Sequence, residues 1–152
     1  MFEIRPPHEN ELELVSESCV RSKAVWGYDD EFMDACREEL TVTHSDLRDS
    51  HVRVADDPQG IVGMVQMTVD GDEAELSKLF VDPLRLQTGV GTVLFNWASE
   101  TARSLGVRRL TIDADPGAAE FYRRMGARDA GSAPSGSIPG RMLPRLQLGL
   151  DP

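Results

Sequence analysis

Cysteine, lysine and aromatic residues are all scarce in this 152-residue chain. The two cysteines, Cys19 and Cys36, form no CxxC and have no histidine at metal-ligand spacing, which argues against a metal site, a redox motif or a disulfide framework. They read as small core residues. No apolar run approaches the roughly 18 residues of a membrane span, so no membrane is expected as a partner. The opening MFEIRPPHEN lacks the basic-then-apolar layout of a signal peptide, and the expectation is a cytoplasmic protein. Positive charge is lacking too: the formal net charge of −10 argues against a nucleic-acid partner. Only two lysines, Lys23 and Lys78, stand among the 16 cationic residues.

What remains is ordinary for a globular protein, with 40% hydrophobic residues. The length predicts a single domain over 1–152 with a core of its own, as monomer or homodimer. The charge is uneven: residues 1–50 carry 13 acids against 5 bases, whereas residues 101–152 carry 5 against 8. An acidic first half lining a cleft would attract a cation; a solvated acidic surface is the plainer reading.

Periodicity divides the chain. Phe2 to Arg5 alternates and stops at Pro6-Pro7, a short strand. Asn10 is placed to cap a helix carrying Leu12, Val15 and Cys19, and a second helix is expected over 30–40 with Phe32, Cys36 and Leu40 on one stripe. Residues 41–50 are polar and read as loop. Strands follow over 51–55 and 60–69, the latter apolar at nearly every position, and Asp70-Gly71 predicts a hairpin into a third strand. In that strand the apolar phase is even at Ala74 and Leu76 and odd at Leu79 and Val81, which predicts a β-bulge. A helix from Val90 to Leu105 shows Val90, Leu94, Trp97, Ala98, Thr101, Ala102 and Leu105 as one stripe, with Gly106 behind it. A strand near 107–114, a helix from Asp115 to Met125, a turn-rich 132–140 and a final strand over 142–150 complete the chain. Pro144 pushes that last strand towards an edge. The order βααβββαβαβ is that of an α+β fold with a mixed, mostly antiparallel sheet.

The stretch Leu79-Phe80-Val81-Asp82-Pro83 followed by Gln87-Thr88-Gly89-Val90-Gly91-Thr92 is a strand, a glycine loop and a helix start, an arrangement that offers backbone N–H groups to a phosphate. It lacks the Lys-Ser/Thr of a Walker A loop and, with Leu94 where a glycine or alanine belongs, fails the dinucleotide fingerprint. Val81-Asp82-Pro83, Gly89-Val90-Gly91 and, a strand and a helix later, Ala118, Phe121-Tyr122 and Gly126 resemble the acyl-CoA-binding core of the GNAT N-acetyltransferase superfamily. Leu86, flanked by Arg85 and Gln87, departs from that family's Arg or Gln, as Asp115 does from its Asn.

The resemblance implies a three-layer acyl-CoA N-acyltransferase fold, helices on both faces of a sheet with a central bulged strand, and acetyl-CoA as co-substrate. It implies that Leu79, Phe80, Val81, Gln87, Thr88, Gly89, Val90, Gly91, Thr92, Asp115, Ala118 and Phe121 bind the cofactor, largely through main chain at the strand and loop. The reaction implied is acetyl transfer to a primary amine of a small molecule or peptide by direct attack in a ternary complex; the alternative is a non-catalytic acyl-CoA sensor on the same fold. Acyl transfer needs an oxyanion donor, a base for the ammonium and an acid for the thiolate. Tyr122 is the candidate acid and a backbone amide near Leu79 the oxyanion donor. Glu75 is the candidate base, acting through water, with His44 and His51 as alternatives by pKa alone. Trp26 and Tyr28 are expected on the acceptor side, where core packing is the rival reading, and Arg141 is placed to pair with an acceptor carboxylate or to anchor its loop.

Overall fold

Alternating sequence makes the sheet and bulky stripes make the helices that cover it. In the computed structural model, which describes residues 2–150, the strands are β1 (Glu3–Arg5), β2 (His51–Asp57), β3 (Gly60–Asp70), β4 (Glu73–Val81), β5 (Arg109–Asp113), β6 (Arg128–Pro134) and β7 (Met142–Gly149). The helices are α1 (Leu12–Ala24), α2 (Asp30–Leu40), α3 (His44–Asp49), α4 (Val90–Ser104) and α5 (Ala119–Arg124). The seven strands form one sheet in the order β1-β2-β3-β4-β5-β7-β6, antiparallel except where β5 lies parallel to β4 across the α4 crossover.

Each face of the sheet has its own core. Val65, Met67, Leu76, Leu110, Ile112 and Leu146 pack with Leu94, Phe95, Ala98 and Ala102 of α4 and with Tyr122 of α5. Val52, Val54 and Met64 point the other way, onto Val15 and Cys19 of α1 and Met33, Cys36 and Leu40 of α2. Residue-by-residue alternation in β2 and β3 feeds both cores, which is why β3 is apolar almost throughout.

The bulge falls where the phase change puts it. Gln66 pairs with Lys78 and Met67 with Leu76, so Ser77 is the extra residue. Other expectations are corrected. Asn10 does not cap α1; a 3-10 turn over Glu9–Glu11 precedes it. The polar stretch 41–50 contains α3, started by Thr43 and Asp46, which exchange side-chain and backbone hydrogen bonds. Part of the turn-rich 132–140 belongs to β6, and β6 is the edge strand, whereas β7 is interior. Pro144 is tolerated there because its carbonyl accepts the Ala114 N–H, and the N–H it lacks would point the same way, past the last β5–β7 pair at Asp113 and Arg145. The helix expected from Asp115 begins as a 3-10 turn over Pro116–Ala118 and becomes α5 at Ala119. On α4, Leu105 lies beyond the last turn and is exposed, while Phe95 is buried.

Candidate active site

β4 and β5 pair only over Glu73–Glu75 and Arg109–Thr111. Beyond those residues they part, and the sheet opens into a wedge. Both strands stop in the same way: Asp82-Pro83 and Asp115-Pro116 each begin a 3-10 turn in which the aspartate accepts the N–H two residues on, Leu84 and Gly117 respectively. The wedge is the floor of a cleft of about 680 Å³, lined among others by Lys78, Leu79, Phe80, Val81, Asp115 and Tyr122.

The start of α4 closes one end. Gly89 is its N-cap residue in the left-handed conformation (φ 91°), and Gln87 just before it is also left-handed (φ 64°), the one non-glycine residue so placed among those described. Val93 N–H bonds back to Gly89 C=O, which leaves the N–H groups of the first helical residues without intrahelical partners, at the positive end of the helix dipole. Gly91 lies where a methyl group would stand 3.5 Å from Val81 Cγ2 and 3.6 Å from the Phe121 ring, so helix start, strand end and α5 meet there. Gln87, Gly89, Gly91 and Thr92 line the cleft, as does exposed Leu86. Thr88 does not: its hydroxyl closes the preceding turn on the Arg85 carbonyl. Val90 is buried against Gly63, which restricts it to a main-chain role. Arg85 also lines the cleft, but its guanidinium is engaged by Asp57 at the end of β2 and Gln59 in the turn after it.

Tyr122 forms the inner wall with Ala118 and Phe121. Its ring packs in a triangle with Phe95 and Phe121, centroids 5.9 and 5.2 Å away. It is 6% exposed, and its hydroxyl makes no hydrogen bond among the described residues, although the residue lines the cleft. Burial pushes its pKa well above the ordinary tyrosine value, with the Asp115 charge adding to the rise.

Asp115 organises the opposite wall. Its Oδ2 accepts from the Tyr28 hydroxyl at 2.7 Å and from Lys23 Nζ at 3.3 Å, and Arg141 stands 3.5 Å away. Arg141 in turn donates to Tyr28 Oη at 2.6 Å and lies over the stacked rings of Tyr28 and Phe32. Burial pushes the Asp115 pKa up, but the Tyr28 hydrogen bond, the Gly117 N–H and Lys23 outweigh it and hold the carboxylate ionised. Trp26 lies flat on Gly117, where a methyl group would come within 2.8 Å of the indole, and it remains 46% exposed at the cleft mouth.

The structure therefore brings together Trp26, Leu79, Phe80, Val81, Gln87, Gly89, Gly91, Thr92, Asp115, Ala118, Phe121 and Tyr122. Tyr28 and Arg141 stand behind the wall, engaged with Asp115 and with each other rather than facing the cleft. Glu75 is apart: it sits in the zipped part of the β4–β5 pair, exposed, between Thr68 and Thr111. His44 opens α3 and lines a different groove, a shallow one of about 800 Å³ along α1. Unpaired strand edges, a helix start and a buried tyrosine converge on the wedge and not on that groove. Lys23 and Lys78, both in the cleft lining, were not singled out as site residues by motif; the signal for them was composition, since they are the chain's two lysines.

A family model described as the acetyltransferase (GNAT) family matches residues 14–127. No curated protein matches the chain. Among solved structures, the PaiA N-acetyltransferase of Thermoplasma acidophilum, crystallised in complex with coenzyme A, is 18% identical and superposes over 98% of this chain and 99% of its own, with a TM-score of 0.79. A GCN5-related N-acetyltransferase from Rhodopseudomonas palustris is 22% identical over 99% of this chain and 96% of its own, with a TM-score of 0.82. The ribosomal-protein-S18-alanine N-acetyltransferase of Escherichia coli is 17% identical over 99% and 94%, with a TM-score of 0.71. At these identities the likeness is one of fold.

Proposed function

The chain belongs to the GNAT acetyltransferase family, and from that membership we propose that it is an acetyl-CoA-dependent N-acetyltransferase acting on a primary amine in a ternary complex. The observation that carries this reading is Tyr122: a tyrosine whose ring is buried and whose hydroxyl, without a partner among the described residues, faces a cleft bounded by unpaired strand edges and a helix start. That hydroxyl is free to hydrogen-bond whatever enters the cleft. Coenzyme A fits the rest. Its pyrophosphate suits the N–H groups at Gly89 to Thr92, and its pantetheine amides suit the parted edges of β4 and β5.

In the reaction the amine nitrogen attacks the thioester carbonyl, the C–N bond forms and the C–S bond breaks. The main chain at Leu79 is the proposed oxyanion donor. Tyr122 is the proposed donor to the leaving sulfur. A free thiol has a pKa near 8.5, below that of a buried tyrosine, so outright proton transfer is uphill. The hydroxyl serves by hydrogen bonding to the sulfur as charge develops, and the proton shed by the amine restores the balance. Glu75, exposed and outside the cleft lining, is the proposed base only through intervening water, so Glu75→Gln should cost less activity than Tyr122→Phe.

Calorimetry with coenzyme A and a thiol-release assay over a panel of amines test the proposal. Binding together with amine-dependent thiol release supports it; no binding refutes it. Binding without release from any amine would make the protein a sensor on the same fold.

A further inference from the structure

The cleft lining holds one half-buried cation that has no ion-pair partner among the described residues. Of the charged residues lining the cleft, Lys23 and Asp115 pair with each other, Asp113 with Arg145, Arg85 with Asp57 and Glu120 with Arg123. Three have no ion-pair partner among the described residues: Lys78, Glu39 and Arg124. Glu39 and Arg124 are exposed, where water screens them. Lys78 is half-buried on β4, and a charge there acts through a lower effective dielectric.

The hydrogen bond that Lys78 makes is to a neutral group: Nζ donates to Gln66 Oε1 at 2.9 Å. That contact is oriented from behind. The Ser50 hydroxyl donates to the Asp46 carbonyl, so its oxygen accepts from Gln66 Nε2 at 3.0 Å, which turns the Gln66 carbonyl oxygen towards Lys78. The relay fixes one ammonium proton and leaves two donors. Arg141, the residue that sequence offered for an acceptor carboxylate, is already committed to Tyr28 and Asp115.

We propose that the acceptor amine also carries a carboxylate, making it a small molecule of the amino-acid class, and that Lys78 binds that carboxylate. This rests on the acetyltransferase reading above. Lys78 directly precedes Leu79 on β4, with Cα atoms about 3.8 Å apart, and both line the cleft, so anchor and proposed reaction centre share one wall. An unpaired half-buried cation would repel a polyamine and favour an acceptor with an anion at one end.

The test compares free amino acids with their carboxamides as acceptors in the thiol-release assay, after calorimetry has established coenzyme A binding. The wild-type protein should use one or more amino acids with kcat/KM at least tenfold above the matching carboxamide. In Lys78→Gln, which keeps an N–H for Gln66 but removes the charge, that preference should collapse towards one, mainly through KM, with coenzyme A affinity retained. Lys78→Arg should restore part of it. A wild-type preference for carboxamides or polyamines, an unchanged preference in Lys78→Gln, or coenzyme A binding with no amino acid acetylated would each overturn the proposal while leaving the acetyltransferase reading standing or falling on its own data. Failure to bind coenzyme A would sink both. If Lys78→Gln does not fold, the wild-type comparison alone decides.

Discussion

Two glycines in this structure make opposite predictions from similar crowding. Gly63 on β3 lies beneath α4; a methyl group there would stand 3.0 Å from Leu94 Cδ1, 3.0 Å from the Phe80 carbonyl oxygen and 3.1 Å from Val90 Cγ1. Gly117 is tighter still, with 2.8 Å to the Trp26 ring. Distance alone ranks Gly117→Ala as the worse change. Freedom to move reverses the order. At Gly63 one neighbour is main chain of a central strand and the other two are fully buried, so α4 must rise off the sheet; overpacking of this kind costs about 1–3 kcal/mol. The stiffer unfolded chain of the alanine variant returns about 0.5–1 kcal/mol, and the net loss should be about 1–2 kcal/mol. At Gly117 the three nearest atoms all belong to an indole already 46% exposed, which can swing into solvent, so the change should stay within about 1 kcal/mol. Urea denaturation measures both. The functional readouts separate as well: Gly63→Ala lifts the first turn of α4 and should weaken coenzyme A binding, whereas Gly117→Ala moves Trp26 and should alter its fluorescence and the acceptor KM. The reasoning is wrong if Gly63→Ala unfolds within about 0.5 kcal/mol of wild type or if Gly117→Ala is the more damaging of the two.

Further expectations follow from the same geometry. Tyr122→Phe should lower kcat by about 10²-fold while leaving thermal stability unchanged or higher, because the hydroxyl removed has no protein partner; a large loss of stability would instead mark a structural role. The pH profile of kcat/KM should rise as the acceptor ammonium deprotonates and show no falling limb below about pH 10, since burial first and Asp115 second push the Tyr122 pKa above its ordinary value. Hydrogen bonding by Arg5 holds the Glu11 carboxyl down from 4.5 to about 2. Its stabilising contribution is therefore present above about pH 4.5 and lost as pH falls towards 2, and wild type should lose about 1 kcal/mol more than Glu11→Gln over that window in acid titrations of stability. Thr43→Ala should cost about 1 kcal/mol by uncapping α3, measurable as a lowered urea midpoint.

Much of the scaffold was legible because it rests on period. The bulge at Ser77 shows in sequence as a phase slip between Leu76 and Leu79, since a strand cannot keep one face buried across an inserted residue otherwise. β6 was not legible: Arg-Asp-Ala-Gly-Ser-Ala-Pro has no β-branched residue, and its strand form comes from β7 beside it. α3 was hidden by its brevity, six polar residues whose helical state depends on the Thr43–Asp46 exchange. The cluster around Asp115 joins residues 87 and 113 positions apart, Asp115 to Tyr28 and Tyr28 to Arg141, a distance over which no local pattern operates. Composition makes Lys78 conspicuous as one of two lysines but does not show its setting. What distinguishes it is the lack of an acidic partner, and that is a property of three-dimensional surroundings rather than of any residue.

The paired Asp-Pro stops bear on more than the shape of the cleft. A sheet parted in its middle has two inner borders in addition to its two outer ones, and a border of unpaired main chain is where a foreign strand can dock and aggregation can begin. Here both inner borders are kept short, ending at Val81 and Asp113 before a proline turn, and each bears a charge, Lys78 on one and Asp113 on the other. The opening that admits a slender, amide-bearing ligand is thus too brief and too polar to template a neighbouring chain, which allows the sheet to stay open without being sticky.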